Sequence, residues 1–270
     1  MEKFTIYKKN SIGIPCISEI PKDCRRIAIV IHGMCSSKES TNAAFLLNFM
    51  PHRGIGVIAY DQPGHGSQEA RSEELRIDNC MESLKAVEEY IKAQYPHAEV
   101  CYFASSFGAY ILGIYLARRL NFGRKAFMRC AAVCFPQIIL GNADASQNAD
   151  ASQNAANIAE IMEKGYVDVK IGGDDPVRLS LGFFEDLKDN DLYRLFDEKA
   201  PQDVSMQFVH VAKDPFVPVN AVMEFASKHG YPISVVPDEG HSICDHKESP
   251  HFVAELAYDF FIEADKNYRT

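Results

Sequence analysis

The chain has 270 residues, 47% apolar and 24% charged, the profile of a water-soluble globular protein long enough to bury a sizeable core. Its formal charge of −9 speaks against a nucleic-acid groove or a patch for anionic membranes. No run approaches the about 18 consecutive apolar residues of a membrane span, and the opening Met1-Glu2-Lys3-Phe4-Thr5-Ile6 lacks the apolar segment of a signal peptide.

In chain order, Phe4 to Tyr7 and Ile12 to Ile17 alternate in polarity about a polar turn and predict an opening hairpin. Ile27 to Ile31 is a continuous β-branched run, as expected of a strand covered on both faces. Gly56 to Tyr60, Val100 to Phe103, Met128 to Phe135, Met206 to Val211 and Ile233 to Val236 read the same way. Helix-like stretches alternate with them: Ser40 to Met50, Glu73 to Gln94, Phe107 to Leu120, Asn220 to Lys228 and His251 to Asp265. This alternation predicts an α/β protein, a mostly parallel sheet with helices on both faces. From Gln137 to Asp203 there are helical and loop signals but no core strand, which is too long for a simple connection. A folded cap or lid at 137–203, inserted into a core of 1–136 and 204–270, is the expected organisation. Within it, Asn142 to Gln147 is repeated as Asn148 to Gln153. Two copies are too few for a solenoid and carry no chemistry.

Eight cysteines include no Cys-x-x-Cys pair, and several lie in apolar runs where a thiol behaves as a small hydrophobe. Reduced thiols and a cytoplasmic location follow as expectations. Cys35 and Cys244 fall near the segments discussed next and read as space-filling.

Ala104-Ser105-Ser106-Phe107-Gly108 stands between a strand-like and a helix-like run. A serine on such a sharp turn is exposed above the sheet with a helix N-terminus beneath it. The tightness of the turn demands small residues two before and two after. Ser106 has Ala104 and Gly108 there, whereas Ser105 has Phe103 and Phe107, so Ser106 is the candidate nucleophile and Ser105 a spacer. His32-Gly33-Met34 ends the strand at 27–31, where a backbone N–H of Met34, with that of Phe107, makes a two-donor oxyanion hole. Asp61-Gln62-Pro63-Gly64-His65-Gly66-Ser67 forms a tight loop at the same sheet edge, and its His65 reads as structural. Asp214 opens a loop after the strand at 206–211. His241 lies in a glycine-flanked loop after the last strand. The run His241-x-x-Cys244-Asp245-His246 matches no metal-site spacing.

The order Ser106, Asp214, His241, with a strand–turn–helix at the serine, resembles the α/β-hydrolase fold over nearly the whole chain. Within that superfamily the Asp61 to Ser67 loop is similar to that of capped serine hydrolases: cinnamoyl/feruloyl esterases, monoacylglycerol lipases and serine aminopeptidase-like members. The resemblance implies an eight-stranded sheet with one antiparallel strand near its start, and a cap between the sixth and seventh strands. It further implies a Ser106–His241–Asp214 triad and no cofactor. The expected activity is hydrolysis of small to medium carboxylic esters. A peptidase or amidase would need an acidic anchor, for which Asp174, Asp175, Glu185 and Asp186 are available. An acyltransferase, or a silent ligand-binding relative, keeps the same fold.

Overall fold

The computed structural model describes residues 1–7, 13–67, 73–118, 120–140, 160–170 and 176–263. The opening hairpin forms as expected: β1 (Glu2–Tyr7) pairs antiparallel with β2 (Gly13–Glu19). Then follow β3 (Arg26–Ile31), α1 (Thr41–Phe49), β4 (Ile55–Tyr60), α2 (Ile77–Gln94), β5 (Glu99–Ser105), α3 (Phe107–Ala117), β6 (Lys125–Arg129) and α4 (Phe135–Leu140). After these come β7 (Tyr166–Val169), β8 (Val177–Ser180), α5 (Leu181–Asp189), α6 (Leu192–Lys199), β9 (Ser205–Val211), α7 (Val219–Lys228), β10 (Ile233–Val236) and α8 (Ser249–Ile262).

Eight strands form one sheet in the order β1-β2-β4-β3-β5-β6-β9-β10. Only β2 runs against the other strands, being antiparallel to both β1 and β4. The pairs β3–β4, β3–β5, β5–β6, β6–β9 and β9–β10 are all parallel. Parallel central strands need cover on both faces. Ile27 to Ile31 and Ile55 to Tyr60 are accordingly buried throughout, each large side chain contributing about 1.5–3 kcal/mol. One core cluster joins Ile29, Ile58, Tyr102 and Met128 to α2, α3 and α7. The other joins Val30, Phe103, Phe127 and Val209 to α1 and α8.

Two expectations are corrected. The apolar run 128–135 is not a strand: β6 stops at Arg129, Cys130 turns with φ 43°, and Phe135 begins α4. Apolar composition alone does not distinguish a buried strand from the buried loop and helix that continue it. The described part of 137–203 adds no strand to the core sheet, as expected, but is not helix and loop alone: β7 and β8 pair with each other. The tandem hexapeptide at 142–153 lies outside the described residues. No described helix is long and apolar enough to cross a membrane.

Candidate active site

Ser106 is the hinge between β5 and α3. Its backbone sits at φ 51°, ψ −116°, a conformation that L residues rarely adopt. Its N–H donates to Arg129 O (2.9 Å), and its carbonyl accepts from Ala109 N–H (3.0 Å) and Tyr110 N–H (3.1 Å). The strain is held by packing on both sides. Ala104 is fully buried in β5, and a Cβ at Gly108 would stand 2.4 Å from His32 O and 2.5 Å from Ile31 O. The requirement for small residues around this serine is therefore a backbone-to-backbone contact between α3 and the end of β3. The other positive-φ residues other than glycine, Cys35, Cys130, Asp238 and Ile243, lie in loops that leave the same sheet edge or follow β10.

His241 Nε2 lies 2.8 Å from Ser106 Oγ, and His241 Nδ1 lies 2.6 Å from Asp214 Oδ2. A carboxylate beside Nδ1 requires that nitrogen to carry the proton, which leaves Nε2 to accept from the Ser106 hydroxyl. Asp214 Oδ1 accepts from Phe216 N–H and Val217 N–H, both at 2.9 Å, which aims Oδ2 at the imidazole. Burial pushes the Asp214 carboxyl up, but the bond from His241, its charge and the two N–H groups outweigh burial and hold it below the usual range. The Phe216 ring meets His241 edge-on at 5.3 Å. A hydroxyl on an imidazole whose far nitrogen is held by a carboxylate can pass its proton along as it attacks an electrophile.

The segment after β3 passes directly over this serine: a Cβ at Gly33 would lie 3.3 Å from Ser106 Cβ. His32 fixes that segment. Its buried ring donates from Nδ1 to Gly33 O (2.8 Å) and accepts at Nε2 from Gln62 N–H (3.0 Å), while Gln62 Nε2 donates to His32 O (2.6 Å). Burial pushes the His32 pKa down, so it is neutral in this role. The Gln62 loop is itself tied by Asp61, which accepts from Lys38 N–H (2.8 Å), Lys38 Nζ (2.8 Å), Ser67 N–H (3.0 Å) and Ser67 Oγ (2.7 Å). Gly66, at φ 53°, leaves room for that carboxylate: a Cβ there would be 2.5 Å from Asp61 Oδ1. His65 is buried, its Nδ1 is 2.9 Å from Pro63 O, and its ring lies 6.1 Å from that of Phe107. It packs against Phe107 and His32 and takes no part in the Ser106–His241–Asp214 line.

Ser105 does more than space the turn. Its Oγ accepts from Arg129 Nε (2.9 Å), and Arg129 Nη1 donates to His241 O (2.7 Å), so one buried guanidinium joins the serine turn to the histidine loop. Sequence reading passed over Arg129. Its signal was a lone cation inside the apolar run 126–135.

A cavity of about 680 Å³ opens at Ser106. Cys35 and Cys244 both line it. The Cys35 thiol donates to Val169 O (3.4 Å), and burial pushes the Cys244 thiol up, away from thiolate character. His246 Nε2 turns to Asp238 O (2.9 Å), away from His241. Cys130, His210 and Asp214 do bring donor atoms within 4.8 Å of one another. His210 Nε2 is already 3.0 Å from Val217 O, and burial pushes the Cys130 thiol up to about 12.

An eight-stranded, mostly parallel sheet of this order, with a serine at the turn after β5 and a histidine–aspartate pair beside it, defines the α/β-hydrolase superfamily. The chain belongs to the serine hydrolase family described as Serine aminopeptidase, S33, whose model matches residues 22–185. The comparison with curated proteins returns no match. Among solved structures, Est1E of Butyrivibrio proteoclasticus with bound ferulic acid is similar at TM-score 0.74 and 16% identity, over 96% of this chain and 97% of that one. Mouse alpha/beta hydrolase domain-containing protein 10 is similar at 0.71 and 14%, over 97% and 98%. The esterase domain of a Rhodothermus marinus protein is similar at 0.69 and 17%, over 96% and 98%. These likenesses are of fold.

Proposed function

We propose that this serine hydrolase cleaves carboxylic esters of small to medium acyl or aryl substrates through an acyl-enzyme. The observation that carries the reading is the line Ser106 Oγ–His241–Asp214, with contacts of 2.8 and 2.6 Å. Ser106 Oγ attacks the acyl carbon while its proton moves to His241 Nε2. Asp214 stabilises the imidazolium. The carbonyl oxygen, now negative, is held by the N–H groups of Met34 and Phe107. His241 returns the proton to the leaving alcohol oxygen. Water, deprotonated by the same histidine, then frees the acid and regenerates Ser106. No step calls for a metal or cofactor.

The cavity volume suits such a substrate. Est1E, which binds ferulic acid, lends support to an ester of an aryl acid. An amine-anchoring peptidase finds less support. Asp186 is engaged by Arg76 Nε (2.7 Å) and Nη2 (2.6 Å), Glu185 is not on the cavity wall, and Asp174 and Asp175 lie outside the described residues.

We read 137–203 as a cap docked on the core through α3. Tyr110 Oη donates to Asn190 O (2.7 Å), and Leu192 packs against Gly113. Its apolar residues Phe183, Leu187, Leu192 and Phe196 are core, not pocket. Among the described residues of the segment, only Pro176 and Val177 line the cavity. We place the protein in a reducing, cytoplasmic setting, in which its eight cysteines stay as thiols.

The test is hydrolysis of p-nitrophenyl esters from acetate to laurate, with methyl ferulate and an aminoacyl-p-nitroanilide alongside, by wild type and Ser106→Ala. The reading expects ester cleavage that falls at least about a thousandfold in Ser106→Ala. Cleavage of the anilide alone, or activity within about tenfold of wild type in the variant, contradicts it.

A further inference from the structure

The wall of the cavity at Ser106 also includes Val30, Thr41, Asn42, Ser105, Arg129 and Ser242, and Val30 belongs to the core cluster on the α1 side of the sheet. These mostly polar wall residues are not the lining that suits a plain hydrocarbon chain. Arg129 in this wall is only 5% exposed. The guanidinium spends Nε on Ser105 Oγ and Nη1 on His241 O, both neutral acceptors. Among the described residues Nη2 has no acceptor, and no carboxylate comes within 4.0 Å of the group. Taking a cation out of water without a counter-charge is costly, and two neutral acceptors do not cancel it.

No carboxylate is paired with Arg129: the buried Asp214 is spent on His241 Nδ1 and on the N–H groups of Phe216 and Val217. Asp245 is the one carboxylate among the described wall residues, and it is exposed with Oδ2 accepting Gly240 N–H at 2.7 Å. Thr41 and Asn42 begin α1, whose first turn has no acidic residue, so the helix end adds positive potential. Ser105 and Arg129 are register partners across β5 and β6, and Arg129 O holds Ser106 N–H at 2.9 Å. The cation is therefore fixed beside the nucleophile.

We propose that the part of the cavity wall at Arg129 is an anion subsite, and that the substrate is an ester carrying a carboxylate which Arg129 binds through Nη2 while the scissile carbonyl lies at Ser106. The proposal rests on the serine-hydrolase reading of the same site and adds the charge class of the substrate. A guanidinium nitrogen with no acceptor makes a strong, charge-assisted hydrogen bond to a carboxylate.

Two pairs of esters test it. In the first, the acyl part carries the charge: mono-p-nitrophenyl glutarate against its methyl ester. In the second, the alcohol part carries it: 4-acetoxybenzoate against its methyl ester. In at least one pair the anion is expected to exceed its neutral partner about tenfold or more in kcat/KM, and which pair does so tells the orientation. In Arg129→Gln that ratio falls to near one, and in Arg129→Lys it lies between. The variants also slow the neutral esters, because the hold on His241 O is weakened, so the ratio is the readout. A wild-type ratio of one or less in both pairs overturns the proposal. So does an unchanged ratio in Arg129→Gln, which would leave Arg129 a positioning residue only. A parallel measurement does not depend on turnover: calorimetric binding of monomethyl glutarate and dimethyl glutarate to Ser106→Ala. Tighter binding of the monoanion supports the subsite even if the ester-hydrolysis reading fails; equal binding refutes it even if that reading holds.

Discussion

Asp214 shows how a buried carboxylate stays charged. Desolvation opposes ionisation, but the bond from His241 and two backbone N–H groups more than offset it. In the mechanism proposed here its charge fixes the proton on His241 Nδ1. Asp214→Asn removes that bias while keeping the shape, so kcat is expected to drop about a thousandfold or more in steady-state ester hydrolysis, with the circular dichroism spectrum unchanged. Ser106, Asp214 and His241 were legible as residues because each follows a recognisable strand, and strand ends are where such a sheet presents chemistry. Arg129 was not legible in this way. Nothing local to Ala126-Phe127-Met128-Arg129 tells which acceptors a strand-end arginine will meet, because those acceptors, Ser105 and His241, are 24 and 112 residues away.

At the scale of elements, the serine turn is held by contacts between backbones. Gly108 on α3 lies so close to the end of β3 that an added methyl meets two carbonyl oxygens, and backbone has no rotamer with which to yield. Gly108→Ala is therefore expected to destabilise by about 2–3 kcal/mol in urea unfolding. The loop carrying Met34 is tied down by the Lys38–Asp61 pair, whose side chains are 10% and 0% exposed. Lys38→Met leaves Asp61 buried without its counter-charge, and a loss of about 3–5 kcal/mol by the same measurement is expected. Strand and helix boundaries were legible wherever periodicity and a turn residue agreed, as at Thr41–Phe49 with its Ser40 cap. They were misplaced at 128–135, where strand end, loop and helix are all apolar because all are buried. The β7–β8 pair escaped notice because four-residue strands leave too short a pattern to register.

For the whole molecule, the scaffold histidines set the response to acid. His32 and His65 are buried, and burial pushes both pKa values down, that of His65 to about 3. The unfolded chain takes up protons near pH 6.5 that the folded protein refuses. Stability is thus complete above that pH and declines below it, for His65 by about 1.4 kcal/mol per pH unit and for His32 in the same direction. Asp61 and Asp214, held below the usual carboxylate range, act in the same direction at lower pH: their stabilisation is present above about pH 4 and is lost as pH falls further. The melting temperature is expected to fall steadily from pH 6.5 to 4.5. His65→Gln, though less stable at pH 8, should show a shallower decline; an equally steep one would remove His65 from this account.

All of these features serve one claim, that Ser106 is a nucleophile activated by His241. Labelling with a fluorophosphonate, located by peptide mass spectrometry, addresses that claim without knowledge of the substrate. The account predicts one adduct, on Ser106, with the rate of labelling reduced at least about a hundredfold in His241→Ala. An adduct elsewhere, no adduct on the folded protein, or labelling indifferent to His241 would contradict it.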